Sequence, residues 1–219
     1  MTVACARSIL LPTLIAVVFA SRPALAQEPP PRLPRWVIDL HGNLPLFPDT
    51  LQLAESRALN QAELPGVGLG GDLGVHLYPL QWRAITFGIG GQVTAARAHR
   101  TPSTAARTTI LRPVTERFTS VAPQVSLNFG SGTGWSYLSG GISTSRWSVV
   151  PDPVGKLPSD EEALKTINYG GGARWFAKAH LAFSFDVRFY AINPSAPNGP
   201  LPSSPRTTLM VIGAGVSVK

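Results

Sequence analysis

The chain has 219 residues, 44% of them hydrophobic and only 14% charged, with 21 glycines, 21 prolines and a net charge of +7. Its one cysteine, Cys5, lies in a leader segment that is expected to be removed. A disulfide scaffold, a cysteine-ligated zinc site and cysteine catalysis are therefore excluded. Soluble domains carry about 25% charged residues, so so low a charge content fits an outer wall that faces lipid.

Residues 1–26 read as a cleaved export signal. Arg7 supplies the positive start, residues 9–20 form an apolar run, and Ala24-Leu25-Ala26 is a small-x-small cleavage site before Gln27. The run is too short to span a bilayer. Cleavage takes Arg7 and Arg22 with it, so +7 becomes +5. Residues 27–34 (QEPPPRLP) form a Pro-rich extended lead-in, and residues 35–219 read as one domain. After residue 34 there is no apolar run of about eighteen residues, hence no membrane helix.

Eight segments alternate apolar and polar residues with period two. Strand one covers about residues 35–43, with Trp36, Ile38 and Leu40 against Asp39 and His41. Strand two, about 64–78, sets Leu69, Leu73, Val75 and Leu77 against Asp72, Gly74 and His76. Strand three, about 82–96, sets Ile85, Phe87, Ile89 and Val93 against Thr86, Gly88, Gly90 and Gln92. Strand four, about 116–129, sets Val121, Val125, Leu127 and Phe129 against Ser120, Gln124 and Asn128. Strand five, about 134–149, is less regular, because Trp135 and Tyr137 share the phase of Ser139, Ser143 and Ser145. Strand six, about 164–176, sets Ile167, Tyr169, Ala173 and Trp175 against Asn168, Gly170, Gly172 and Arg174. Strand seven, about 180–192, sets Leu181, Phe183, Phe185, Val187 and Phe189 against Ser184, Asp186 and Arg188. Strand eight, about 207–219, sets Met210, Ile212 and Val216 against Gly213, Gly215 and Ser217.

The connections alternate in length. Long ones fall at 44–63, 98–115, 150–163 and 193–205; short ones fall at 79–81, 130–133 and 177–179. This is the arrangement of an all-β, eight-stranded antiparallel up-and-down transmembrane barrel, with short periplasmic turns and long extracellular loops. Pro123 cannot donate to a ladder, which predicts a bulge or bend in strand four. The glycines on the polar phase mark either bulges or room for bulky neighbours in a narrow barrel. Trp36, Tyr78, Trp82, Phe129, Trp135, Trp175 and Phe176 stand beside the short turns, and Phe118, Trp147 and Tyr190 stand near the opposite ends. They are expected to form two interfacial aromatic belts. A short helix is expected around residues 50–60, and the Pro-rich loops 151–162 and 193–205 are expected to be mobile.

The run Asn168-Tyr169-Gly170-Gly171-Gly172-Ala173-Arg174-Trp175-Phe176, with the strand 180–190 ending Asp186-Val187-Arg188-Phe189-Tyr190, resembles the late hairpin of the bacterial outer membrane protein β-barrel domain family, relatives of the OmpA and OmpX barrels. The resemblance implies an eight-stranded outer-membrane barrel with no shared catalytic residues. The chain departs from that pattern at its end, Ser217-Val218-Lys219, where such barrels carry an aromatic residue.

The inward phase collects Asp39, His41, Asp72, His76, Gln92, Glu116, Arg174, Asp186 and Arg188. In a narrow barrel these predict a hydrogen-bonded ion-pair network that fills the lumen; the alternative is a polar permeation path. Asp39, His41, Asp72 and His76 also invite a metal site, but their spacing matches no ligand motif, so no metal or cofactor is expected. Barrel enzymes such as lipid A deacylases use a His-x-Ser arrangement with a nearby acid. Neither His41, His76 nor His180 has the serine, and His99-Arg100-Thr101 offers a hydroxyl only in a loop. No enzyme is therefore expected. Residues 66–71 (GVGLGG) suggest a phosphate loop, but no helix follows. Arg97, Arg100, Arg107, Arg112 and Arg117 surround one loop and read as a solvated rim; a lipid headgroup layer suits them better than nucleic acid.

The combined expectation is a monomeric, non-catalytic barrel in the outer membrane of a Gram-negative-type bacterium, with a structural or surface-interaction role. Its partners would be outer-membrane lipid including lipopolysaccharide, and the barrel assembly machinery during insertion. The alternatives are a narrow, porin-like pore for small solutes and a lipid A-modifying enzyme.

Overall fold

Strict alternation lets a strand bury one face and expose the other only if the sheet curls round its polar side. A closed sheet also leaves no unpaired edge. The computed structural model, which describes residues 32–102 and 111–219, shows this solution. The strands are β1 (Trp36–Leu46), β2 (Leu69–Trp82), β3 (Ile85–Arg100), β4 (Val114–Ser131), β5 (Gly134–Pro151), β6 (Leu164–Phe176), β7 (Leu181–Ile192) and β8 (Thr207–Val218). Each pairs antiparallel with its sequence neighbours, and β1 pairs with β8 to close the barrel. Short connections (83–84, 132–133, 177–180) lie at one end with both barrel termini; long ones (47–68, 101–113, 152–163, 193–206) lie at the other. The export signal and Arg107 lie outside the described residues.

The exposed face is apolar: Leu40, Leu73, Val75, Ile89, Val125, Leu138, Ile142, Ile167 and Phe183 all point outward. The interior stacks in three layers. Val37, Tyr78 and Trp135, with Phe176 against them, close the turn end. A polar layer fills the middle. Phe118, Trp147, Val149, Tyr190, Ile192 and Leu209 form an apolar layer at the loop end.

That upper layer is completed by the first long loop, which folds inward. Thr50 caps a short helix, α1 (Leu51–Glu55), by accepting from the Leu53 amide, so that Leu53 and Ala54 turn down into the barrel mouth. A 3₁₀ turn at Gln61–Glu63 follows, with a reciprocal Asn60/Glu63 capping box. The other loops tie onto this lid. Arg57 pairs with Asp160 at 3.2 Å, both buried. Asp160 also accepts from the amides of Val149 and Leu157. Glu63 accepts from the Arg112 amide. Asn198 and Ser159 bond each other, and Glu162 accepts from the Ala196 amide. The Pro-rich loops, expected from their composition to be mobile, are hydrogen-bonded to each other.

Two details of the strands refine the expectation. Of the bulge or bend expected at Pro123, no bulge forms: the β3 and β5 registers on either side of it are continuous. Instead the β4–β5 ladder opens between Val121/Thr144 and Val125/Gly140, because a proline has no N–H to give. Among the described residues the one register shift between strands lies between Leu77 and Leu80 in β2, at Pro79. It carries β2 on to Trp82 and moves the turn to Arg83, which takes a positive φ of 54°.

Candidate functional site: the barrel interior

Inward-facing residues of adjacent strands stand side by side, so the register decides which polar groups meet. Asp39 on β1 receives Arg174 from β6 in a bidentate pair, Nε to Oδ1 at 2.8 Å and Nη2 to Oδ2 at 2.5 Å. It also accepts from Ser217 at 2.5 Å and faces His76 Nε2 at 3.3 Å. The Arg174 guanidinium lies over the Tyr137 ring at 4.1 Å. Higher in the barrel, Asp186 takes the Tyr137 hydroxyl at 2.7 Å and Arg188 at 3.1 and 3.2 Å. Arg188 also donates to Ser139 at 3.0 Å.

A third group was not legible in the sequence. His41 on β1 is hydrogen-bonded through Nδ1 to Asp72 on β2 at 3.0 Å and through Nε2 to the Ser184 hydroxyl on β7 at 2.7 Å. This is the bonding order of a serine–histidine–acid relay. The three residues sit on three strands, so no local His-x-Ser spacing could reveal them. Gly215 on β8 stands opposite both His41 and Ser184. A Cβ there would lie 2.8 Å from the imidazole, so only glycine lets the ring cross to the serine.

The relay is enclosed. His41, Asp72 and Ser184 are all buried. The space between Asp39, His41, Asp72, His76, Gln92 and Arg188 admits no water-sized molecule. The layers above and below shut both ends. Among the described residues no cluster of His, Cys, Asp and Glu is arranged to hold a metal.

Of the residues assigned to the lumen, Asp39, His41, Asp72, His76, Arg174, Asp186 and Arg188 meet in this middle layer. Glu116 does not join them. It is fully buried in the loop-end layer, where it accepts from Trp147 Nε1 at 3.1 Å. Gln92 pairs with Gln124. His99, the loop candidate, bonds Thr115 and Thr101 at the surface.

The aromatic assignment is corrected in part. Trp36, Trp82, Phe129 and Trp175 face outward, but Tyr78 and Trp135 are buried inside and Phe176 stacks on Trp135 at 5.1 Å. Phe118, Trp147 and Tyr190 are buried at the loop end, Phe118 edge-on to Tyr190 at 5.0 Å. They sit on the inward phase and form plugs, not a second belt. At the turn end, past the last residue of β8, Lys219 lies over Phe176 and donates to the Gly132 carbonyl. Burial lowers its ammonium from the ordinary lysine value.

Neither a family model nor a curated protein matches the chain. Among solved structures, Neisserial surface protein A superposes with a TM-score of 0.51 at 13% identity, covering 85% of this chain and 97% of that one. Ail, the attachment invasion locus protein of Yersinia pestis, gives 0.51 at 8% identity, covering 84% of this chain and 96% of its own. At such identities the likeness is one of fold: this chain is built like the small eight-stranded barrels of bacterial outer membranes.

Proposed function

We propose that the protein is a closed, non-conducting outer-membrane barrel that serves the envelope through its surfaces, bracing the membrane and presenting a fixed loop platform. The observation that carries this is the double plug: aromatic at the turn end, apolar and lidded by α1 at the loop end, with ion pairs between. A lumen filled in this way leaves the outer wall and the tied loops as the working parts. On this reading the short turns and termini face the periplasm, the loops face outward, and the chain is a monomeric relative of the OmpA and OmpX barrels, inserted by the assembly machinery. The surface proteins that share its fold support a surface-interaction role. Purified protein inserted in planar bilayers should give no conductance steps above the lipid baseline, and heat-modifiable migration in detergent gels should accompany insertion. Stable channel steps would overturn the sealed lumen.

One observation favours a second reading, an acyl hydrolase. Ser184, His41 and Asp72 have the bonding order, but the space beside His41 and Asp72 has no room for a substrate. A fluorophosphonate probe should leave Ser184 unlabelled in the folded barrel. Labelling that disappears in Ser184→Ala would establish the hydrolase instead.

A further inference from the structure

The outer wall of β3, β4 and β5 is unlike the rest of the apolar surface. Gly91, Pro123 and Gly140 occupy outward positions on neighbouring strands, Gly91 opposite Pro123 and Gly140 opposite Val125. With no long side chain at these three places, the wall is hollowed into an apolar groove of about 700 Å³ between Ile89, Val125 and Ile142. It lies over the opening in the β4–β5 ladder. One step toward the loops, a second hollow of about 300 Å³ is lined by Val93, Val121, Thr144 and Arg146. Beyond it, a third of about 390 Å³ is lined by Arg117, Arg146, Ser148 and Lys156, with Asp160 and Glu161 at its edge. The second and third share Thr119 and Arg146, so the three follow one line up the wall.

The upper part of this line is basic. Arg97 and Arg117 stand opposite each other in the β3–β4 register, and Arg146 on β5 is opposite Thr119 on β4. All three are exposed. Among the described residues none pairs with a carboxylate; Asp160 is committed to Arg57, and Glu161 lies 3.6 Å from Lys156. Three cations converge on one patch of a wall that is otherwise apolar below them.

Depth identifies the occupant. Arg146 is four residues above Ile142, and Arg117 six above Pro123. At roughly 3.3 Å per residue along strands tilted by about 40°, these steps rise about 10 and 15 Å. Half the hydrocarbon thickness of a bilayer is about 15 Å. The groove is therefore at acyl-chain depth when the arginines are at headgroup depth. A soluble polyanion would use only the cations and a neutral lipid only the groove. Three clustered guanidinium groups also exceed what one phosphate needs.

The geometry points to a lipid-binding site on the β3–β5 wall for a loop-side lipid carrying two phosphates. Its headgroup is clamped by Arg97, Arg117 and Arg146, and an acyl chain lies in the Gly91/Pro123/Gly140 groove. This rests on the outer-membrane reading above and adds a specific ligand class and place to it.

The test uses the full barrel in detergent, titrated with diphosphoryl lipid A, its monophosphoryl and dephosphorylated forms, and soluble pyrophosphate, with bound lipid counted by native mass spectrometry. Wild type should retain the diphosphoryl lipid at least tenfold more tightly than the dephosphorylated one, and should bind pyrophosphate far more weakly than either phosphorylated lipid. Arg117→Ser with Arg146→Ser should abolish that preference. Gly91→Leu fills the groove, and its Cβ meets only ordinary contacts, 3.6 Å at the nearest. It should weaken the diphosphoryl lipid several-fold and leave pyrophosphate unchanged. Heat-shifted migration of each variant reports insertion separately. A barrel that inserts but binds all lipids alike, or binds pyrophosphate as well as the lipid, overturns the site and leaves the membrane reading standing. Failure to insert overturns both.

Discussion

Arg188 shows how a single side chain holds this interior. Its guanidinium is almost wholly buried and spans Asp186, Ser139 and the Asn168 side chain. Removing one member of a buried pair costs more than the pair contributes, because the partner charge stays behind without solvent; such losses run about 3–5 kcal/mol. Arg188→Ala should therefore lower the thermal unfolding temperature of the barrel substantially, read by the loss of heat-shifted migration. Conductance should stay at baseline, since the plugs above and below do not depend on it. A large conductance would mean that the ion pairs, and not the apolar layers, are the seal. Glu116 makes the opposite case: it sits on the same inward phase, yet its only described partner is Trp147. Phase places a residue inside but says nothing of the layer it joins.

At the level of the strand, the glycines explain the network. Gly172 on β6 stands opposite both Tyr137 on β5 and Asp186 on β7. The Tyr137 hydroxyl reaches Asp186 across the gap that Gly172 leaves. Gly170 does the same for Ser139 and Arg188, and Gly215 for His41 and Ser184. Each is a spacer strand between two polar partners, and none marks a register shift. The Gly-rich run of β6, which carries the family resemblance, is thus a row of clearances. Gly172→Val should be disruptive beyond its volume, since its Cβ would meet the Tyr137 hydroxyl at 2.7 Å and the Phe185 carbonyl closer still. A loss of about 1–3 kcal/mol is expected from overpacking alone, with the severed Tyr137–Asp186 bond added to it. Urea titration of refolding into liposomes measures it. An unchanged midpoint would show that the row tolerates filling.

Across the whole molecule, the sequence discloses the barrel and its facing pattern because both depend on a local period of two. All eight strands, the sorting of loops by length and the inward set of Asp39, His41, Asp72, His76, Arg174, Asp186 and Arg188 follow from it. The rest depends on contacts that no local pattern carries. Trp135 and Tyr78 read as belt residues because a ring at a strand end has the same signature whether it meets headgroups or a plug. Pro123 announces a defect but not its form, which is set by the side on which β5 lies. Ser184 finds His41 only after the chain has closed, 143 positions apart in sequence.

That last separation has a consequence for how the barrel is shut. Closure brings β8 beside β1, and three inner contacts straddle the joint: Ser217 to Asp39, Arg174 to Asp39, and Ser184 to His41. Both of these β1 residues find their partners on strands from the far end of the chain, so the polar layer is a latch that engages only when the last strand arrives. An open or mis-registered sheet would leave Asp39 and Arg174 facing each other's absence in a narrowing, water-poor space. Asp39→Asn should therefore slow the appearance of the compact, heat-shifted form during refolding more than it slows the gain of β-structure by circular dichroism. Equal slowing of the two would place the latch earlier, in the growing sheet. On this view the lumen is the barrel's clasp, the part that makes the first strand recognise the last.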